Sequence, residues 1–260
     1  MGYRYGVELY SVRDELAKDL LYTLKRVKEM GYEGVEFFGE FRHTAKEIKE
    51  ALEETGLVCC GWHTPWNYVE DDRFDETVAY FKEIGNKYVV IPGLPAEMTN
   101  SKEAWLKTAA EFNRVAEKLK PHGMILGYHN HSSEFQSMDG ELPFHILFSN
   151  TDPSVVVQMD NGNALSGGAD IMDAISRYPG RARTVHLKPY KLGCEKPEDG
   201  FATMIGEDDV PWAEFMKWCS TQGATEWYIV EYESEAMYTQ FEGIEKCLES
   251  LKEMESKGEI

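Results

Sequence analysis

The chain has 260 residues, of which 27 are Lys or Arg and 46 are Asp or Glu, so its formal net charge is -19. A surface this acidic repels phosphate backbones and anionic lipids, which disfavours nucleic acids and membranes as partners. No apolar stretch is long enough to cross a bilayer, and the first residues lack the apolar segment of a signal peptide. The five cysteines show no ligand or disulfide spacing. We therefore expect a cytoplasmic protein.

Short apolar runs alternate with amphipathic segments along the whole chain. Strands are predicted at residues 5–10, 34–38, 57–63, 88–91, 124–131, 155–160, 182–188 and 227–233. Helices are predicted at residues 20–30, 44–55, 75–84, 101–119 and 212–221, with a last helix at the C-terminus. Three of these helices are followed by a glycine, which is the usual stop signal: Gly31, Gly56 and Gly85.

The order of these elements indicates one fold without an internal linker. Apolar runs that are each followed by a helical crossover are typical of parallel strands buried on both faces. A doubly wound open sheet would satisfy this pattern, but no Gly-x-Gly-x-x-Gly motif follows the first strand. Eight units at a spacing of about 30 residues favour a closed (β/α)8 barrel. We expect a single TIM barrel domain over residues 1–260.

Ionisable residues lie at the ends of all the predicted strands except the fourth. In a TIM barrel these ends form one ring at the C-terminal mouth, where such folds place their active sites. A single carboxylate at a strand end can be explained by a structural role, such as an ion pair or a helix cap. The presence of ionisable residues at nearly all the strand ends favours a functional role. The residues are Glu8, Glu36, His63, the group His129, His131 and Glu134, then Asp160, His186 with Lys188, and Glu231 with Glu233.

The fifth strand is the richest of these segments. His129 and His131 are two residues apart and therefore point to the same side of the strand, and Glu134 follows in the loop. Two imidazoles beside a carboxylate suit metal binding or proton transfer. A pair of hydrogen-bonded histidines near the surface is the structural alternative.

A bound metal would satisfy several of these groups at once. Asp160, His186 and Glu231, together with a ligand from the fifth strand, form a mixed set of carboxylate and imidazole. Such a set suits one divalent ion, with Mn²⁺ as first choice and Mg²⁺, Co²⁺ or Zn²⁺ as alternatives. No cysteine is positioned to contribute, which argues against a structural zinc site.

The motifs on strands five to eight resemble a known family. Gly127-Tyr-His-Asn-His131, Met159-Asp160, Val185-His-Leu-Lys188 and Val230-Glu-Tyr-Glu233 are similar to the sugar phosphate isomerase/epimerase group of the xylose isomerase-like TIM barrels. The resemblance implies a divalent metal held by a fifth-strand carboxylate and by the Asp, His and Glu that correspond here to Asp160, His186 and Glu231. It also implies that the protein forms homo-oligomers. The Tyr-His-Asn-His subgroup further resembles inosose dehydratases and enzymes that act on 3-keto sugars.

The sequence departs from that family at two places. His129 stands where many members have the metal-binding Glu, so we assign the carboxylate ligand to Glu134, with His131 as the competing assignment. His129 and His131 are then proton carriers. The usual His-x-Lys-Asp is here His186-Leu-Lys-Pro189, which leaves the substrate contacts of the segment after strand seven open.

The expected reaction begins with removal of a proton from a carbon next to a carbonyl. The metal stabilises the enediolate, and Glu134, Glu231 or a fifth-strand histidine moves the proton, which makes the chain a metal-dependent sugar or sugar phosphate isomerase or epimerase. A lyase, a dehydratase or an enzyme that cleaves 3-keto glycosides by β-elimination is the alternative. An endonuclease IV-like repair enzyme and an inactive sugar-binding barrel are less favoured. Lys188 is expected to stabilise a negatively charged oxygen in this reaction. The residues expected to bind the carbohydrate are Glu36, His63, Trp62 and Tyr128.

Overall fold

Eight parallel strands form the centre of the structure, a computed structural model that describes residues 2–260. Their order is 6-5-4-3-2-1-8-7, and strands 6 and 7 meet through a bridge between Asp160 and His186. This closure confirms the predicted TIM barrel. The strands are β1 (Tyr5–Glu8), β2 (Gly34–Phe38), β3 (Val58–His63), β4 (Tyr88–Ile91), β5 (Ile125–His129), β6 (Val156–Gln158), β7 (Thr184–Leu187) and β8 (Trp227–Val230).

Helices surround the strands and bury their apolar sides against them. They are α1 (Arg13–Lys18), α2 (Leu20–Met30), α3 (Ala45–Thr55), α4 (Phe74–Ile84), α5 (Lys102–Leu119), α6 (Pro143–Ser149), α7 (Asn161–Ser166), α8 (Ile171–Ser176), α9 (Trp212–Trp218) and α10 (Gln240–Lys257). Within residues 2–260, no helix combines the length and the apolar character needed to cross a membrane.

The predicted helix ends are confirmed where local chemistry determines them. Thr44 caps α3 in a capping box with Glu47, which satisfies two backbone N–H groups that the helix itself leaves free. Gly31, Gly56 and Gly85 end α2, α3 and α4 in the left-handed conformation, which costs glycine least.

The sequence pattern missed the short elements. Helices α6, α7 and α8 have only six or seven residues, too few to show a helical period in the sequence. The first strand ends at Glu8 and continues as a 3₁₀ turn over Leu9–Val12, where a strand was predicted to residue 10. Helix α9 ends at Trp218 and is followed by a π turn over Cys219–Gly223.

Buried ionisable side chains at the C-terminal ends of the strands determine where the candidate active site lies. Apolar side chains fill the space between the strands and the helices, whereas the C-terminal half of the barrel lumen contains buried ionisable groups. Burying a charge is costly unless it is paired or hydrogen-bonded, so these groups must contact one another or a ligand. The buried ionisable residues there are Glu8, Glu36, His63, His129, Asp160, His186, Lys188 and Glu231.

Candidate active site

Four side chains from adjacent strand ends converge at the C-terminal mouth. One potential ligand atom from each of them lies within 4.8 Å of those of the other three. All four residues are buried. His129 ends β5 and His186 lies in β7, while Asp160 and Glu231 follow β6 and β8. The structure thus brings together three of the four predicted metal ligands, Asp160, His186 and Glu231, and adds His129.

His186 is the centre of this cluster. Its Nδ1 lies 2.7 Å from Glu231 Oε2 and its Nε2 lies 2.6 Å from Glu36 Oε2. Burial alone would lower the pKa of His186, but the two carboxylates raise it well above its usual value. Burial would likewise raise the pKa of Glu231, but Lys188 and His186 lower it well below the usual range.

Glu36 contacts the ring nitrogen of His186 that does not contact Glu231. Gln158 donates a hydrogen bond to Glu36 Oε1 at 3.0 Å, and the strand register shifts between Val35 and Glu36. Gly61 makes room for this carboxylate, because a Cβ there would lie 2.2 Å from Glu36 Oε1. Glu36 was predicted to bind substrate, and the structure places its carboxylate 2.6 Å from His186 Nε2.

Asp160 has a structural contact as well as a place in the cluster. Its Oδ1 accepts a hydrogen bond from the backbone N–H of Asn163 at 2.7 Å and thereby caps α7. Its Oδ2 accepts from Asn163 Nδ2 at 3.0 Å and lies 3.7 Å from His129 Nε2. Burial raises the pKa of Asp160 to about 8, although the Lys188 ammonium opposes this shift.

Lys188 extends its ammonium group into the same carboxylate cluster. The nitrogen lies 3.0 Å from Glu231 Oε1 and 3.9 Å from Asp160 Oδ2, and it also contacts Glu233. Burial would lower the pKa of Lys188, but Glu231 and Asp160 raise it, so the group remains charged. Lys188 therefore supplies a fixed positive charge next to the candidate ligands.

The carboxylate of Glu134 is directed away from the cluster. Its Oε1 accepts a 2.6 Å hydrogen bond from the Tyr128 hydroxyl, and its Oε2 accepts from the backbone N–H of His131 at 2.8 Å and from Ser133 Oγ at 3.0 Å. The 3₁₀ turn over Ser133–Phe135 folds the side chain back in this way. Neither Glu134 nor its competitor His131 belongs to the cluster, to which the fifth strand contributes His129.

A cavity of about 630 Å³ adjoins the cluster, and His129 and Glu231 line it. Three residues that the sequence places at the site line this cavity: His63, His131 and Lys188. The residues that line it but were not assigned to the site include Glu8 and Glu233, whose only sequence signal was their place at a strand end. Burial and the charge of Glu231 raise the pKa of Glu8 well above its usual value, and Glu8 Oε2 has no hydrogen-bond partner within residues 2–260.

Two predicted substrate contacts lie outside this cavity. Trp62 stacks on Phe37 with ring centroids 4.9 Å apart, and its indole N–H donates to the Gly39 carbonyl at 2.9 Å. It is a core residue between the sheet and the helices. Tyr128 lines a neighbouring cavity, which also contains Glu134.

The donor set of the cluster fits a divalent cation. Two imidazoles and two carboxylates are ligands for Mn²⁺, Co²⁺ or Zn²⁺ more than for Mg²⁺, which prefers oxygen alone. The second ring nitrogen of His186 contacts Glu36, an arrangement common for histidines that bind metals. His129, Asp160, His186 and Glu231 would hold the ion.

Comparison with known proteins identifies the family. A family model described as Xylose isomerase-like TIM barrel matches residues 24–254. The chain belongs to this family.

Individual relatives of this xylose isomerase-like barrel are distant. An inosose dehydratase of Clostridium perfringens is 23% identical over 239 residues, which cover 79% of each chain. The crystal structure of a sugar phosphate isomerase/epimerase from Parabacteroides distasonis superposes with a TM-score of 0.76 at 25% identity and covers 97% of this chain and 94% of that one. An L-ribulose 3-epimerase shares the fold, with a TM-score of 0.70 at 16% identity over 99% of this chain and 97% of that one.

Proposed function

We propose that this chain is a divalent-metal-dependent enzyme that removes a proton from the carbon next to a carbonyl of a carbohydrate. The observation that carries this proposal is the convergence of His129, Asp160, His186 and Glu231 in one cluster, beside a cavity that His129, Glu231 and His131 line. A divalent ion held there supplies Lewis acidity that stabilises negative charge on a carbonyl oxygen. The relatives named as inosose dehydratase and as isomerase/epimerase support this class of chemistry.

His131 is the residue to which we assign the proton transfer. Its ring faces the cavity, and His129 is occupied as a ligand in this proposal. Desolvation in the cavity wall lowers the pKa of His131, although Glu134 opposes the shift, so the ring is neutral near pH 7 and accepts a proton. Lys188 stabilises a negatively charged substrate oxygen. Glu8, whose Oε2 has no hydrogen-bond partner among the described residues, contacts a hydroxyl group of the substrate.

The fate of that proton separates two outcomes. If His131 returns it to a different carbon or to the opposite face, the product is an isomer or an epimer. If instead the neighbouring carbon loses its substituent, a double bond forms between the two carbons. The product is then unsaturated, and the enzyme is a dehydratase or another lyase. We favour elimination, because several curated relatives are named inosose dehydratase. Isomerisation or epimerisation is the second candidate, supported by the likeness to the sugar phosphate isomerase/epimerase.

The charges of the cavity favour a substrate without phosphate. Among the described residues, Lys188 is the only Lys or Arg that lines it, and carboxylates already contact that ammonium group. Glu8, Glu198 and Glu233 add acidic groups to the same wall. A phosphate dianion would therefore lack a cationic partner, whereas the hydroxyl groups of a neutral keto sugar can donate to these carboxylates.

A substitution of Glu231 tests the proposal directly. Glu231→Gln removes one ligand charge, so we expect loss of bound Mn²⁺ in elemental analysis and loss of turnover of an inosose or a 3-keto sugar by at least about a thousandfold. NMR distinguishes an epimer from an enone, which also absorbs in the near ultraviolet. The control is Glu235→Gln, a nearby exposed residue that pairs with Arg13 outside the cavity. Full metal content and full activity of Glu231→Gln would contradict the proposal.

A further inference from the structure

Asn130 lies between His129 and His131, and the proposed function gives it no role. The residue is fully buried, so the polar groups of its side chain need partners inside the protein. Those partners are the two backbone groups of Asp160. Asn130 Oδ1 accepts a hydrogen bond from the Asp160 N–H at 3.0 Å, and Asn130 Nδ2 donates to the Asp160 carbonyl oxygen at 3.0 Å.

These two hydrogen bonds begin where the ladder between β5 and β6 ends. The last residue pair of that ladder joins His129 and Gln158, so Asp160 lies two residues beyond it. On the other side of this segment, the backbone N–H of His186 donates to the Met159 carbonyl at 2.8 Å. The side chain of Asn130 therefore continues the connection between the end of β5 and the residues that follow β6.

Asn163 connects this backbone contact to the carboxylate of Asp160. Asn163 Nδ2 donates to the Asn130 carbonyl oxygen at 3.4 Å and to Asp160 Oδ2 at 3.0 Å, and the Asn163 N–H donates to Asp160 Oδ1 at 2.7 Å. Asp160 is thus held at its N–H, at its carbonyl oxygen and at both carboxylate oxygens. A carboxylate held in this way has few other orientations, so less conformational entropy is lost when an ion binds to it.

The chemistry of the contact explains why an asparagine occupies position 130. The contact needs an acceptor for the Asp160 N–H and a donor for its carbonyl oxygen on one short side chain, and a carboxamide supplies both. An ionised aspartate has no donor. An aliphatic side chain would leave the buried N–H of Asp160 without its partner.

We propose that Asn130 is a positioning residue of the candidate metal site, which holds the backbone of Asp160 so that its carboxylate stays among the ligands before an ion binds. This inference rests on the proposed function. The ligand cluster consists of His129, Asp160, His186 and Glu231, so Asn130 acts through Asp160 and is not itself a ligand.

Replacing Asn130 tests this inference through metal binding instead of turnover. Asn130→Ala removes both hydrogen bonds to Asp160 and keeps the four candidate ligands, so we expect the affinity for Mn²⁺ to fall about 10- to 100-fold. Titration followed by the electron paramagnetic resonance of free Mn²⁺ measures this. With Co²⁺ as the probe, the visible absorption bands of the bound ion should shift, because the arrangement of its ligands changes.

Asn86→Ala is the matched control. Asn86 is also buried, and its Nδ2 donates to the Tyr88 carbonyl at 3.1 Å, at the N-terminal end of β4. Both variants should lower the urea midpoint of the metal-free protein, because each loses a buried hydrogen bond. Only Asn130→Ala should weaken Mn²⁺ binding and shift the Co²⁺ bands. Asn130→Ser keeps one hydroxyl group, should change both in the same direction, and replaces Asn130→Ala if that variant does not fold.

The results separate this inference from the proposed function. Tight Mn²⁺ binding by the wild type together with unchanged affinity and Co²⁺ bands in Asn130→Ala would overturn the inference alone. Equal losses of affinity in Asn130→Ala and Asn86→Ala would also overturn it, because affinity would then follow stability. A wild-type protein that binds neither ion would contradict the proposed function, and the positioning role would fall with it.

Discussion

The carboxylate of Glu36 shows how a fully buried charge is stabilised in this barrel. Desolvation would raise the pKa of Glu36, but His63 and His186 lower it, and Gln158 donates a further hydrogen bond. Such a charge is tolerated only because several partners satisfy its lone pairs. The same contacts hold the ring of His186 in one orientation, with its other nitrogen towards Glu231.

Removing the charge of Glu36 should weaken metal binding although Glu36 is no ligand. Glu36→Gln keeps the size of the side chain but loses the charged contact to His186 Nε2, and we expect Mn²⁺ affinity to fall about 10- to 100-fold. Titration followed by calorimetry or by the electron paramagnetic resonance of free Mn²⁺ measures this. Glu29→Gln is an exposed control. An unchanged affinity of Glu36→Gln would show that the contact does not orient the ligand.

At the scale of elements, helix α7 and the candidate metal site share one residue. Asp160 caps α7 through Oδ1, and its side chain also lies in the ligand cluster. The sequence pattern Met-Asp-Asn-Gly-Asn is compatible with either role, and the structure shows both contacts at the same carboxylate.

Two substitutions of Asp160 should separate these roles. Asn caps helices as well as Asp does, so Asp160→Asn should retain the unfolding free energy of the metal-free protein, whereas Asp160→Ala should lose about 0.5–2 kcal/mol. Both variants should lose metal. Urea denaturation in the presence of a chelator gives the stabilities. If both variants are equally destabilised, the prediction that Asp160 stabilises the protein by capping α7 is contradicted.

At the scale of the whole molecule, the candidate ligands span the place where the barrel closes. They come from β5 to β8, and the seam between β6 and β7 is joined by the bridge between Asp160 and His186 and by backbone hydrogen bonds that His186 donates to Met159 and Val157 donates to Arg181. The protein also carries a net charge of -19, and several carboxylates meet at this mouth. A divalent cation would offset that repulsion and connect the two sides of the seam.

Metal should therefore stabilise the native barrel. At about 100 times the dissociation constant, a ligand specific to the native state adds about 2.7 kcal/mol. For a chain of this size that raises Tm by about 5–10 °C. Scanning calorimetry with Mn²⁺ and then with excess chelator checks the gain and its reversal. Glu231→Gln should show no such gain. A wild-type Tm that is independent of metal would contradict a site at the seam.

Much of the architecture follows from local sequence patterns. A strand buried on both faces needs a continuous apolar run, and a long amphipathic helix needs a helical period and a cap. Both signals lie within short stretches of sequence, so β1 to β8 and α2 to α5 could be predicted. The ring of ionisable strand ends was predictable as well, because parallel strands place these ends at one mouth. The short helix α7 could not be predicted in this way, because its six residues are too few to show a helical period.

The sequence by itself determined the barrel, its acidic character and the set of residues that surround its mouth, because strand period and chain order are local properties. Only the tertiary structure decided which of these residues meet. Glu134 lies five residues from His129 in the chain, but the turn after β5 and the Tyr128 hydroxyl direct its carboxylate into a different cavity. Glu36 lies 150 residues from His186, and barrel closure brings the two within 2.6 Å. Contacts between side chains depend on strand register, turns and the closing of the barrel, and no short stretch of sequence contains that information.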